Sequence, residues 1–189
     1  AADPFAAAVQ KQGVAALAHL TCFSSTREDV LAQLGHLKTL GIENILALRG
    51  DLPAGASPDD PRPYRNASQL VREIAGDGGF CVGGACYPEG HVESRSQAED
   101  LGHLKEKVDS GCSFLVTQMF FDNSALYSFL YRMQAKGISV PVVAGIMPVT
   151  TITVAPTDWP DRFMKVCGLM SSTFSPPSDP SAISAWYFF

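Results

Sequence analysis

The chain has 189 residues, 46% of them hydrophobic and 17% charged, with a formal net charge of -5. That length and apolar content suit one domain, or part of a larger one, with a sizeable core, and argue against a disordered chain. The negative balance argues against a nucleic-acid protein held by phosphate contacts, and no apolar run is long enough to predict a transmembrane helix.

The opening AADPFAAAVQ carries no basic segment of a secretory signal and no initiator Met, which suggests a processed chain or a fragment. Five cysteines, an odd number with no C-x-x-C pair, fit a reducing, cytoplasmic compartment better than a disulfide framework or a zinc site.

The first apolar run, VAALAHLTC (14–22), reads as a buried strand. Thr26 caps the helical pattern REDVLAQLGHLKTLG, in which Val30, Leu34 and Leu37 share a stripe and Gly41 is the stop. NILALRGD (44–51) is the second strand, and a short helix near 67–76 leads to the third, FCVGGACYP (80–88). After Ser94 a helix places Ala98, Leu101, Leu104 and Val108 on one side and stops at Gly111. FLVTQMFFD (114–122) is the fourth strand, and Asn123 is expected to cap the helix ending at Gly137. VPVVAGIMPV (140–149) is the fifth strand.

Nearly continuous apolar strands are expected where both sheet faces are covered. A βα period repeated five times supports a doubly wound sheet or part of a (β/α)8 TIM barrel. No G-x-G-x-x-G follows the first strand, which disfavours a dinucleotide-binding sheet. The rhythm stops after residue 150. Residues 151–189 are read as a divergent tail, with one helix capped by Asp158 and then a Ser/Pro-rich segment.

Polar residues collect at the carboxyl ends of the strands, where both architectures place their sites. Arg49-Gly50-Asp51 closes the second strand. An adhesion tripeptide would need an exposed loop in a secreted protein, so two readings remain: a turn with an Arg49–Asp51 ion pair, or a ligand rim. On the rim, Gly50 lets a ligand approach the backbone, Arg49 binds phosphate and Asp51 accepts from a heterocycle N–H.

Asp100, His103 and Lys107 share one helix face by their i, i+3, i+7 spacing. They form either a solvated edge or a ligand-facing edge on which Lys107 supplies charge to a phosphate. His19 reads as a satisfied core histidine. A nucleophilic pairing with Cys22 is unattractive, because residues i and i+3 point to opposite faces of a strand. Glu89, His91 and Glu93 are weak evidence for a metal. Gln118 is a lone amide in an apolar run, so burial would oblige it to find a partner in a ligand or in backbone.

In order and spacing, HLTC (19–22), ALRGDLP (47–53), Ala67 in NASQLV, YPEGH (87–91), SQAEDLGHLKEKVDSG (96–111), TQMFFD (117–122) and GIMPV (145–149) resemble methylenetetrahydrofolate reductases over about residues 14–150. The resemblance implies an FAD-binding α/β barrel, present over about strands three to seven, in residues 1–150. It implies reduction of 5,10-methylenetetrahydrofolate to 5-methyltetrahydrofolate by NADH or NADPH through the flavin. By position it assigns His19, Arg49, Gly50, Asp51, Ala67, Tyr87, His91, Asp100, His103 and Lys107 to FAD, and Asp51 and Gln118 to catalysis and the folate substrate.

Set against that family, the first two strands, one bearing a general-acid glutamate, are expected to be absent from this sequence. His103 and Glu106 depart from the expected Asn and Arg. Open barrel edges would permit a homo-oligomer, and no nucleic-acid or membrane partner is expected. The alternatives are a non-catalytic truncated fragment and a different barrel enzyme, a hydrolase pairing Asp51 with Glu89.

Overall fold

A computed structural model describes residues 3–23, 25–51, 55, 57 and 61–145. Along the chain the elements are α1 (Asp3–Gln10), β1 (Leu17–Thr21), α2 (Arg27–Thr39), β2 (Asn44–Leu48), α3 (Ala67–Asp77), β3 (Cys81–Cys86), α4 (Gln97–Asp109), β4 (Phe114–Thr117), α5 (Asn123–Ala135) and β5 (Val142–Val143). The expected tail helix and Ser/Pro segment, and all of GIMPV except Gly145, lie outside the described residues.

All four strand pairings are parallel, and the sheet order is β1-β2-β3-β4-β5. A doubly wound sheet reverses its order at a switch point and places β1 inside. Here β1 stands at an edge and each strand lies beside its successor, as in the wall of a (β/α)8 barrel. The chain is therefore an α/β fold built as a five-stranded arc of such a barrel.

Burial separates the two faces of the arc. Ala18, Leu20, Ile45, Ala47, Val82 and Leu115 alternate onto one face and are almost fully buried. They pack with Val30, Leu34 and Leu37 of α2, with Leu70, Val71 and Ile74 of α3, and with Phe129 and Met133 of α5. Each such Leu or Ile contributes roughly 1.5–3 kcal/mol by leaving water. The concave face is wetter: His19, Thr21, Leu48, Ala85 and Val116 are half-buried and Leu17 and Val143 exposed.

The strands are shorter than their apolar runs suggest. β2 stops at Leu48 and β4 at Thr117, so Arg49-Gly50-Asp51 and Gln118 sit in loops beyond the ladder. Runs such as LVTQMFF continue past the strand because an apolar run marks burial, not hydrogen-bond pairing. Helix starts also shift slightly. Thr26 caps α2 through a capping box with Asp29, as expected; α4 begins after its cap Ser96, two residues beyond the expected start after Ser94, and Asp122 rather than Asn123 caps α5. Asp122 bonds the Ser124 N–H and hydroxyl, a role its neighbour would fill equally by composition.

Candidate active site

The loops that follow β1 to β4 surround a cleft of about 440 Å³. His19, Arg49, Gly50, Asp51, Ala67, Tyr87, His91, Asp100, His103, Lys107 and Gln118 all line it. Residues far apart in sequence thus converge at one end of the sheet. Parallel strands do this by construction, because every carboxyl end points the same way.

Arg49 leaves β2 and reaches across to the β3–α4 loop. Its guanidinium donates from both terminal nitrogens to Glu93, at 2.5 and 2.7 Å, and lies 5.2 Å from the Phe23 ring centroid. The bond from Arg49 holds the Glu93 carboxyl below its usual range, and Arg49 in turn is raised. Of the two readings of this turn, the Arg49–Asp51 ion pair is not the one formed: Arg49 pairs with Glu93, a partner 44 residues away that no local pattern marks. Asp51 is exposed on the rim. Gly50 has φ +79°, and a Cβ there would stand 3.0 Å from that of Thr21, so the turn demands glycine.

The β3–α4 loop is folded by its own polar groups. Asp100 of α4 accepts the His91 N–H and the Ser94 hydroxyl, at 3.3 and 3.4 Å. His91 meets the Tyr87 ring edge-on at 4.6 Å between centroids, and its Nδ1 accepts the Glu93 N–H. Burial raises the Tyr87 phenol. Asp100 is thus a loop-ordering carboxylate as well as a wall of the cleft.

Lys107 extends from α4 over β3, and its ammonium donates to the Ala85 carbonyl at 2.6 Å. Desolvation pushes its pKa down, against weaker pulls from Cys112, Cys86 and Asp100. Among the described residues no carboxylate lies within ion-pair distance of it. A desolvated ammonium without a counter-ion is costly, and an anion entering the cleft would offset that cost.

His19 is half-buried on the concave face and its pKa is lowered by desolvation. It lines the cleft rather than the helix-covered core, which corrects the expectation of a core histidine. Cys22 is fully buried, and burial pushes its thiol up to about 11, which argues against a His19–Cys22 nucleophile. Gln118 is exposed rather than buried, since β4 ends one residue earlier, while its backbone N–H donates to the Cys86 carbonyl. His103 and Glu106 are exposed on the α4 edge. Glu89 is exposed and is not among the residues lining the cleft.

Ser68 carries no signal of its own in the sequence. It is 4% exposed, lines the cleft, and contacts Asn66 Oδ1 at 2.8 Å and Glu106 Oε1 at 3.0 Å. The legible signal nearby is N-x-x-Q at Asn66–Gln69, a capping box that starts α3 at the cleft wall.

The methylenetetrahydrofolate reductase family model matches residues 3–169. A probable methylenetetrahydrofolate reductase (NADPH) of Caenorhabditis elegans is 39% identical over 72% of this chain and 21% of that protein. The 5,10-methylenetetrahydrofolate reductase of Salmonella typhimurium is 37% identical over 77% of this chain and 48% of that protein. Methylenetetrahydrofolate reductase 1 of Schizosaccharomyces pombe is 40% identical over 69% of this chain and 22% of that protein. The chain thus spans about half the length of the bacterial relative and about a fifth of the two eukaryotic ones. With the ordered barrel arc and a family match over most of its length, this chain belongs to the methylenetetrahydrofolate reductase family.

Proposed function

We propose that this chain carries the cofactor-binding side of a flavin-dependent reductase, which passes a hydride from NADH or NADPH to 5,10-methylenetetrahydrofolate and yields 5-methyltetrahydrofolate. The carrying observation is Lys107, a desolvated ammonium on the wall of the strand-end cleft, with no carboxylate partner among the described residues. Such a group fits FAD, whose pyrophosphate is anionic. When bound, the flavin supplies the two-electron relay between nicotinamide and folate.

The chain's own residues bind and orient. Lys107 has ammonium hydrogens beyond the one given to Ala85 and donates them to a phosphate. Arg49 is fixed by Glu93 and Phe23, so its remaining guanidinium N–H donors are held in set positions at the rim. Gly50 keeps the β2 turn low enough for a flat ring to lie against backbone. Tyr87 and His91 supply an aromatic wall. Asp51 and Gln118, both exposed at the mouth, accept or donate hydrogen bonds to heterocycle edges. A carboxylate at Asp51 also favours a cationic iminium form of the folate over the neutral one.

The test is flavin uptake. The chain is mixed with FAD, desalted, and its visible absorbance read against protein concentration. Near-stoichiometric retained flavin is expected. A folded sample that retains none overturns the reading.

A further inference from the structure

The sequence CVGGAC places two glycines in the middle of β3, where a side chain would normally pack. Successive strand residues face opposite ways, so the two glycines serve different faces. On the concave face a Cβ at Gly83 would stand 2.4 Å from the Phe114 ring. On the helix-covered face a Cβ at Gly84 would stand 2.7 Å from Lys107 Cδ and 3.1 Å from Cys112 Sγ. All three distances are tighter than ordinary contact. Gly84 has no positive φ that would require glycine, so backbone strain does not explain it.

We propose that Gly84 is a positioning residue for Lys107: the missing Cβ lets the lysine stem lie flat across β3, which sets the ammonium on the Ala85 carbonyl at the cleft wall. The inference rests on the reading of Lys107 as an anion-binding group. The geometry explains why an aliphatic stem, and not a branched or shorter one, crosses this strand. The stem covers the gap left by glycine, and the strand's own next carbonyl receives its charged end at 2.6 Å. With a methyl group at position 84 the stem must lift. The bond to Ala85 is then lost or lengthened and the ammonium no longer points into a fixed place. Cys112, on the far side of the same gap, is buried and bonded to the Phe114 carbonyl, so it is the less free of the two neighbours to yield.

The test is a double-mutant cycle on the whole chain with Gly84→Ala, Lys107→Ala and the pair, read by FAD titration and by thermal unfolding without ligand. With Lys107 in place, Gly84→Ala is expected to weaken FAD binding about tenfold or more, the scale of one hydrogen bond to a charged group. In the Lys107→Ala background the same substitution is expected to leave FAD affinity nearly unchanged, because the group it displaces is gone. The ligand-free arm has an expected sign as well. Removing the stem relieves its clash with the new Cβ, so Gly84→Ala lowers the melting temperature less in the Lys107→Ala background than in the wild-type one.

If Gly84→Ala is too unstable to titrate, recovery of folding in the double variant supports the proposal, and failure to recover overturns it. Equal losses of affinity in both backgrounds, or wild-type affinity in Gly84→Ala, overturn it too. A wild-type chain that takes up no FAD would instead defeat the flavin reading, and the melting arm would still decide whether Gly84 sets the lysine stem.

Discussion

Lys107 is the residue where burial and charge conflict most openly. Its ammonium is desolvated and has no carboxylate partner among the described residues, so its pKa falls below the ordinary lysine value. The lowered group releases its proton earlier than the unfolded chain does, so the destabilisation from burying the charge shrinks as pH rises through the folded pKa. Anion binding runs the other way, because only the protonated form attracts phosphate. FAD affinity should therefore fall as pH rises toward the lysine range, with its midpoint below that of a free lysine. In Lys107→Arg this alkaline fall should disappear, since guanidinium stays charged there. A flat profile in the wild-type chain would remove Lys107 from the binding site. The sequence puts Lys107 on a helix face shared with Asp100 and His103, but does not show which side of that face is dry. Nor does it show that Glu93 claims Arg49, because that bond joins two loops brought together only by the β2–β3 pairing.

At the scale of elements, α2, α3, α4 and α5 each start at a side-chain cap. The capping box at Thr26 closes two otherwise unpaired N–H groups: Thr26 Oγ1 accepts the Asp29 N–H, and Asp29 accepts the Thr26 N–H. Thr26→Ala should cost about 1 kcal/mol of stability by chemical denaturation, with no change in the slope of the transition. A smaller loss, within about 0.3 kcal/mol of zero, would mean that packing of Val30, Leu34 and Leu37 alone fixes α2. This start is readable because Thr, acids and an apolar stripe follow in strict order. The α5 start falls one residue from its expected place because Asp122 and Asn123 are both good caps, and only the backbone turn decides between them. Strand existence is legible from apolar runs. Strand ends are not: the β3–β4 register closes at Cys86–Thr117 and the β2–β3 register at Ala47–Gly84, although the apolar runs continue and the Gln118 N–H still reaches the Cys86 carbonyl.

For the whole molecule, the sequential parallel order matters more than any single contact. It places all the candidate site residues at one end, and it leaves β1 and β5 each with one strand neighbour among the described residues. Such edges offer unpaired N–H and C=O groups to another chain. Apolar side chains stand beside them: Val14 and Leu17 at β1 are 57% and 37% exposed, and Val143 at β5 is 52% exposed. A closed barrel has no edges, and its concave face is filled from opposite sides. In this arc most concave residues are only half-buried, so their apolar surface is not yet fully used. The chain on its own should therefore associate. Its mass by light scattering should rise with concentration across the micromolar range, and Leu17→Lys should shift that rise to higher concentration by placing a charge at the β1 edge. A constant monomer mass across that range would overturn this expectation.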